Sequence, residues 1–429
     1  MLTLIPKTLV ARLSKFLNLD EKLAQGLSIS MVGFFATSIL LFVANLILAR
    51  TISPTNYGLW TIVQTIGYLL AIPFAFGQDV VMIRHAGVSS KKHEVVGSSL
   101  VVILISLLLF GSMAFLGRQL FANTFKLQIN IWFIAVGFGA AYSLKNWGGA
   151  IWRCFKEFKK LTIVDICCSL LVLLGTIGML VTHTLKMENY AILICLTFSL
   201  SGVWWWLQNS HQIVFKRSVL EKWFKPLLGW GAISLITGFT GFAVNGAEKL
   251  ILNNYSNPET VGLYGIYASA ASQLLYPFAT IFTSVLMPLA AETKNKMYYL
   301  KMINLLIKKY LGVIIMGNLI MTWVIVKLYG SAYPIIFLPL FLIVFAVSLN
   351  LTWQLRVAVM STMDIHAFTY GTLSAVVVSL ISLIVHFIFI PRLGLVGISF
   401  GLLTTSVGSF VAQEIYFQNN KSRLEGAYV

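Results

Sequence analysis

The chain has 429 residues, of which 58% are hydrophobic and only 10% are charged. Soluble domains carry about 25% charged residues, so the composition argues against a water-soluble globular fold. The formal net charge is +17. Because the basic residues lie in short clusters between apolar runs, membrane topology explains this charge better than nucleic-acid binding does. We expect an integral membrane protein with no nucleic-acid partner.

The first 25 residues predict a cytoplasmic amphipathic segment. Lys7, Arg12 and Lys15 interrupt its apolar residues, and no long hydrophobic region precedes a small-residue cleavage site. A secretory signal peptide is therefore not expected. A basic amphipathic helix lying on the inner membrane surface fits the pattern better.

Twelve apolar runs of suitable length follow, since a transmembrane helix needs about 20 residues. A spanning segment must satisfy its own backbone hydrogen bonds, and alternating barrel strands are missing, so these runs predict helices. The runs cover residues 28–50, 55–77, 95–117, 128–152, 161–183, 188–209, 227–253, 260–289, 309–328, 333–358, 368–390 and 394–417. All connections are short, so no domain outside the bilayer is expected.

The basic residues predict the orientation of these spans. Of the 31 lysines and arginines, 23 fall on one side of the predicted membrane and six on the other, while Lys145 and Lys249 lie within spans. Cytoplasmic loops are enriched in Lys and Arg. Both termini are therefore predicted to be cytoplasmic, in agreement with an even number of spans.

An internal repeat divides the chain into halves. The segment SPTNYGLW at residues 53–60 matches NPETVGLY at residues 257–264, so that Pro54 aligns with Pro258 and Gly58 with Gly262. Turn chemistry alone favours Pro and Gly, but the register and the span count together favour a duplication. Parallel halves are expected to be related by an axis along the membrane normal, with the substrate site at their interface.

The predicted fold is an all-α integral membrane protein with two six-helix lobes around a central cavity. The cytoplasmic N-terminal segment is 1–25, the N-terminal lobe 26–210, the cytoplasmic linker 211–226, the C-terminal lobe 227–418 and the cytoplasmic tail 419–429.

Three segments carry a resemblance to a known family. They are LILARTISPTNYGLW at residues 46–60, GAEKLILNNYSNPETVGLYGIYASA at residues 246–270, and PRLGLVGISFGLLTTSVGSF at residues 391–410. These segments and the twelve-span plan resemble the polysaccharide flippases, including O-antigen flippases, of the multidrug/oligosaccharidyl-lipid/polysaccharide exporter superfamily. The acidic position of the second segment is commonly Asp in the family, whereas this chain has Glu248.

The resemblance implies a function. A flippase of this family moves an undecaprenyl-diphosphate-linked oligosaccharide from the inner to the outer leaflet of the bacterial inner membrane by alternating access. Such a protein serves O-antigen, lipopolysaccharide or other surface polysaccharide synthesis, next to membrane lipids and the polysaccharide polymerase machinery. It needs no cofactor, and its coupling to a proton, to sodium or to the membrane potential stays open.

Charges inside spans are the candidate binding residues, because a lysine at mid-span costs roughly 2.5–3.5 kcal/mol unless a cavity or partner receives it. Lys145 and Lys249 are expected to bind diphosphate, and Glu248 to compensate Lys145 or to bind a coupling cation. Arg356 is expected to hold phosphate bidentately. Trp147 is a candidate for sugar stacking. Snorkelling, anchoring and packing are the alternative explanations.

Further charges flank the spans. Asp79 is a candidate for coupling or charge compensation, and Arg84 and Arg50 are candidates for gates. Asp165 is expected to compensate Lys159 and Lys160. The four cysteines show no CxxC spacing and no histidine cluster lies near them, so no metal site is predicted.

Two other functions compete with the flippase. The first is a small-molecule or drug antiporter of the same superfamily, for which cationic cargo would favour acidic rather than basic residues at mid-membrane. The second is a membrane-embedded glycosyltransferase or polymerase. Enzymes of that kind usually carry a large outer loop with catalytic residues, which this chain lacks, so no enzymatic activity is expected.

Overall fold

A computed structural model describes residues 21–88, 92–155, 157–209, 213–214, 216–292, 296–360 and 365–420. Within these ranges the chain forms fifteen helices and no strand. The helices are α1 (Glu21–Thr51), α2 (Pro54–Ala75), α3 (Gln78–Val88), α4 (Lys92–Leu116), α5 (Arg118–Thr124), α6 (Ile129–Cys154), α7 (Phe158–Val181), α8 (Met187–Asn209), α9 (Arg217–Asn245), α10 (Ala247–Tyr255), α11 (Pro258–Glu292), α12 (Lys296–Tyr329), α13 (Phe337–Met360), α14 (Ile365–Leu393) and α15 (Leu395–Asn419). Most of the predicted segment 1–25 and of the tail 419–429 lies outside the described residues.

Every predicted apolar run except the seventh lies largely on a single helix, but the number of twelve spans is not confirmed. In the described part of the chain, ten helices are long and apolar enough to cross a membrane, or 11 if α5 and α6, bent by 99°, count as one span. The eighth predicted run, 260–289, lies on α11, several of whose side chains fall outside the described residues.

The seventh predicted run, 227–253, does not form one continuous helix. Helix α9 begins ten residues earlier, at Arg217, and a break at Gly246 separates it from the short helix α10. The ring of Phe242 lies 2.5 Å from where a Cβ at position 246 would stand. A side chain there would clash with this ring, so glycine permits the turn.

The early start of α9 makes residues 217–226 of the predicted linker 211–226 helical. This extension docks on α4. The Trp223 indole donates a hydrogen bond to Glu94 over 3.2 Å, and the Lys222 ammonium lies 3.7 Å from the same carboxylate. A polar and aromatic anchor thus holds the start of α9.

The described chain divides into two compact units. The N-terminal unit is Val32–Gly262, and the C-terminal unit is Met1–Met31 with Leu263–Val429. The first unit therefore extends past the lobe boundary expected near 211–226. It does so because α9 packs against α2, α3 and α4, with Gly238 allowing close approach to Ile72. The functional division into two six-helix lobes stays a prediction.

In the N-terminal unit, the two copies of the repeated motif contact each other. Helices α2 and α11 both begin at a proline that follows a polar residue, and Asn257 accepts a hydrogen bond from the Thr260 backbone over 2.9 Å. A Cβ on Gly58 would overlap the Pro258 carbonyl oxygen, and one on Gly262 would lie 3.0 Å from the Gly58 nitrogen. The matched glycines therefore let two helix starts cross backbone to backbone.

In the C-terminal unit, α15 donates side-chain hydrogen bonds to the backbone of α13 at a spacing of seven residues. Ser399 donates to Pro339 over 3.5 Å, Ser406 to Ala346 over 2.9 Å, and Gln413 to the carbonyl of Trp353 over 3.4 Å. A seven-residue period keeps one helix face on its neighbour. These bonds fix the register of the helix that carries Arg356.

Candidate functional site

The N-terminal unit contains a cavity of about 250 Å³ between α2, α6, α9 and α10. The wall is part aromatic and part polar. It is formed by Thr65, Tyr68, Ile72, Tyr142, Gly238, Gly241, Phe242, Asn245, Gly246 and Lys249. A space of this kind inside a unit of spanning helices is the natural place for a polar group to be received.

The break at Gly246 brings a charge to this cavity. Because the break ends α9 at Asn245, Lys249 stands in the first turns of α10 rather than in the middle of a long span. Its side chain lines the cavity together with Asn245. Glu248, by contrast, is buried at 1% exposure. Glu248 and Lys249 therefore differ in their access to the cavity. Lys249 faces the open space, and Glu248 does not.

Two tyrosines form the aromatic wall. The rings of Tyr68 and Tyr142 meet edge to face, with centroids 4.8 Å apart, and Phe138 lies 5.3 Å from Tyr68. Tyr68 keeps 40% of its surface exposed. The sequence interpretation missed both residues, although a signal existed: tyrosine prefers membrane interfaces, and both lie near the middle of predicted spans.

Lys145 lies one turn beyond Tyr142 on α6. Its ammonium is 3.8 Å from the Asp165 carboxylate and 4.4 Å from the ring centre of Phe198. The partner of Lys145 in the structure is thus Asp165 on α7, not Glu248. Residual exposures of 19% and 32% leave this pair within reach of a ligand, so phosphate binding by Lys145 stays a prediction that requires the pair to open.

The expected role of Asp165 as compensation for Lys159 and Lys160 is wrong. Lys160 instead pairs with Glu157 over 2.9 Å. Glu157 directly precedes α7 and Lys160 lies three residues later in its first turn, a spacing at which side chains meet without any help from another element. Asp165 lies deeper along α7, where it faces Lys145.

The structure places Trp147 in the core. It is 2% exposed, its indole donates a hydrogen bond to the Ser99 hydroxyl over 2.7 Å, and its ring meets Trp205 edge to face at 5.3 Å. A sugar cannot stack on a ring that is almost completely buried by protein atoms. The predicted sugar contact therefore has no support in this geometry, and packing explains the residue.

Asp79 and Arg84 lie on α3, outside the spanning helices. Burial raises the pKa of the Asp79 carboxyl above its ordinary value of 3.8, and the charge of Arg153 opposes part of this effect. The Arg84 guanidinium stacks 3.8 Å from the ring centre of Trp230 on α9. Arg84 thus fastens α9 to α3, which is compatible with the predicted gate. Arg50 is exposed in the last turn of α1.

Arg356 is buried in the C-terminal unit, with its guanidinium 4.3 Å from the ring centre of Phe410. Its Nε donates to the Asn304 amide oxygen over 2.8 Å, and its guanidinium lies 3.5 Å from the Glu414 carboxylate. The residue is 4% exposed. The guanidinium nitrogens that were expected to hold phosphate are thus engaged by Asn304 and Glu414. Binding of phosphate by Arg356 stays a prediction.

Of the predicted binding residues, Lys249 alone lines the cavity, and Lys145 lies behind its aromatic wall. Among the described residues, no group of three or more His, Cys, Asp or Glu side chains is placed to hold a metal ion. What the site offers is a lysine ammonium, an amide, hydroxyls and aromatic rings, which together suit a polar anionic ligand.

Comparison with known proteins agrees with this description. A family model described as "Polysaccharide biosynthesis protein" matches residues 23–294. No curated protein sequence matches the chain.

Solved structures match the fold at low sequence identity. A multidrug resistance transporter of the MATE family, of the MOP superfamily, in an inward-facing conformation is 14% identical, with 91% of this chain and 95% of that chain covered and a TM-score of 0.64. The lipid II flippase MurJ, in an inward closed conformation, is 14% identical, with 91% and 87% covered and a TM-score of 0.60. A MATE transporter of Vibrio cholerae in the bent form is 12% identical, with 98% and 100% covered and a TM-score of 0.58.

At these identities the structural likeness concerns the fold, and it agrees with the apolar helices in marking a multi-pass membrane protein. The family match rests on sequence and covers well over half of the chain, which confirms the resemblance carried by the first two motifs. The chain therefore belongs to the polysaccharide biosynthesis protein family and has the helical fold found in MATE transporters and in MurJ.

Proposed function

We propose that this protein flips a polyprenyl-diphosphate-linked oligosaccharide from the inner to the outer leaflet of the bacterial inner membrane. The cargo would serve O-antigen or another surface polysaccharide. The observation that carries the proposal is a lysine, Lys249, lining a cavity among spanning helices of a chain that belongs to a polysaccharide biosynthesis family. The fold shared with a named lipid II flippase supports a lipid-linked cargo.

The physical task explains the need for this lysine. The polyprenyl tail can stay in the bilayer, but a diphosphate and its sugars cannot enter hydrocarbon without a large desolvation cost. Lys249 would pair with a phosphate oxygen in the cavity, where the low dielectric strengthens the attraction. Lys145 would join when its pair with Asp165 opens, and Arg356 would offer a third cation, in the C-terminal unit.

Multidrug transporters have the same fold. The charge of the cavity distinguishes a cationic drug from an anionic lipid diphosphate as the cargo. A cationic drug would be repelled by Lys249, whereas an anionic diphosphate is attracted by it. A drug antiporter would call for an accessible carboxylate at this place, but Glu248 is buried. We therefore propose an anionic cargo. The proposal also includes alternating access, cytoplasmic termini, and coupling to a proton, to sodium or to the membrane potential.

The test is flipping in reconstituted liposomes. A fluorescent undecaprenyl-diphosphate oligosaccharide is incorporated, and a membrane-impermeant quencher reports the fraction in the outer leaflet. The proposal expects protein-dependent flipping that a zwitterionic fluorescent phospholipid does not show. Equal movement of both lipids would indicate a scramblase, and no movement of either would refute the proposal.

A further inference from the structure

Tyrosines in the middle of spanning helices require an explanation. Tyr68 is the fifteenth residue of the 22-residue helix α2, and Tyr142 is the fourteenth of the 26 residues of α6. Tyrosine prefers the membrane–water interface because its ring is apolar and its hydroxyl needs a partner. These two rings instead contact each other 4.8 Å apart and border the cavity.

Helix α9 contributes two glycines to the cavity wall, together with Phe242 and Asn245. A Cβ on Gly241 would meet nothing within 4 Å, whereas one on Gly238 would lie 2.8 Å from Ile72. Gly238 is thus explained by close helix packing, but Gly241 is not. Since glycine in a helix interior costs roughly 1 kcal/mol relative to alanine, an unpacked glycine that faces a cavity is best explained by keeping that cavity open.

Polar side chains form another part of the wall. The Asn245 amide nitrogen donates to the Gly241 carbonyl over 3.2 Å, and both Asn245 and Lys249, four residues further on, line the cavity. An amide and an ammonium can accept from and donate to hydroxyl groups arranged around a ring. A phosphate group binds the cation but does not stack on aromatic rings. A sugar ring has an apolar C–H face that can stack on them and a rim of hydroxyls that can bond to the polar groups.

The size of the space limits the ligand further. Pockets that enclose drug-sized molecules have about 300–1,000 Å³, and this cavity has about 250 Å³. This volume is large enough to receive a single ring.

We propose that Tyr68 and Tyr142 form an aromatic platform that binds one sugar ring of the cargo, with Asn245 and Lys249 at its polar rim. This inference rests on the proposed function and deepens it, because it assigns the contact with the glycan part of the cargo to residues other than Trp147.

The test compares two probes, fluorescent undecaprenyl diphosphate with and without one N-acetylglucosamine ring. Gly241→Leu fills the cavity, and Gly229→Leu is its control, since Gly229 lies on the same helix, also has nothing within 4 Å and does not line the cavity. Tyr68→Ala removes one ring of the platform, and Tyr68→Phe keeps it. Flipping of each probe is measured in liposomes, and equilibrium binding of each probe is measured with detergent-solubilised protein.

The platform predicts a loss that depends on the sugar. Tyr68→Ala should slow flipping of the sugar-bearing probe at least tenfold and that of the sugar-free probe by a much smaller factor, and Tyr68→Phe should slow the sugar-bearing probe less than Tyr68→Ala does. Gly241→Leu should slow both probes, because it also fills the space that receives the diphosphate, and Gly229→Leu should stay within twofold of wild type for both. Equal losses for both probes in the Tyr68→Ala protein would reduce the tyrosines to a structural role and overturn the inference.

Binding separates this inference from the proposed function. Wild-type protein should bind the sugar-bearing probe more tightly than the sugar-free one, and Gly241→Leu should abolish the difference, whether or not the protein flips either probe. Absence of flipping with this binding difference intact would refute the flippase alone. Equal binding of both probes by wild type would refute the platform.

Discussion

Substitution of Gly58 by alanine tests the crossing of the two repeated motifs. The added methyl would overlap the carbonyl oxygen of Pro258 and lie 3.2 Å from the nitrogen of Gly262, so backbone must move. Overpacking of this kind costs about 1–3 kcal/mol. The overlapped atom belongs to the backbone and cannot rotate away, so we expect a cost at the upper end of this range. Better helix propensity returns about 1 kcal/mol. We expect a net loss of about 2 kcal/mol in the free energy of unfolding.

The assay is thermal unfolding in detergent, followed by loss of the monodisperse peak in size-exclusion chromatography. Gly262→Ala should cost less, because its methyl would stand 3.0–3.1 Å from its neighbours rather than overlap them. Gly137→Ala on α6 is the control, since it meets nothing within 4 Å. The predicted order of stability is Gly137→Ala, then Gly262→Ala, then Gly58→Ala. A Gly58→Ala protein as stable as wild type would show that the helix starts do not cross as described.

Three further predictions concern single side chains. Lys145→Gln and Asp165→Asn should each impair stability, and the double variant should recover part of the loss, with a coupling energy of about 1 kcal/mol in a double-mutant cycle; a coupling of zero would deny the pair. Trp147→Phe should lower the free energy of unfolding by about 1 kcal/mol, through loss of its buried hydrogen bond, with equal effects on all cargoes in the flipping assay; a loss confined to sugar-bearing cargo would restore it as a sugar contact. Because burial raises the pKa of Asp79, the folded state binds more protons than the unfolded chain, so the contribution of this carboxyl to stability falls as pH rises above about 4. Asp79→Asn should therefore raise the unfolding temperature more at neutral pH than near pH 4, and the opposite order would contradict the sign.

Long apolar runs made most of the fold predictable, because a spanning helix is specified by its own residues. The seventh span shows where this stops. Apolar composition continues through residue 253, but Gly246 turns the chain and Trp223 anchors an extension that begins at Arg217. The anchor depends on a contact with Glu94 on α4, so no periodicity within the segment announces it. The break at Gly246 involves the ring of Phe242, four residues earlier in the same segment, and apolar composition alone does not reveal it.

The candidate site was predictable in its charges and not in its pairing. Lys145, Lys249 and Arg356 stand out in sequence because intramembrane charge is rare. Their partners are tertiary, and adjacency in sequence suggested Glu248 where the fold supplies Asp165. Trp147 is a second example. The sequence of a helix rich in small residues is the same whether the tryptophan ring faces a cavity or the core, so sequence alone could not place it.

The most direct test of the central claim is the charge dependence of flipping at Lys249. Lys249→Gln should reduce flipping of the undecaprenyl-diphosphate oligosaccharide at least tenfold, and Lys249→Arg should retain more activity than Lys249→Gln because it keeps the positive charge. Lys186→Gln, which removes an exposed lysine from a loop, is the control and should behave as wild type. Full activity of the Lys249→Gln protein would contradict the claim that this cavity receives the anionic head group.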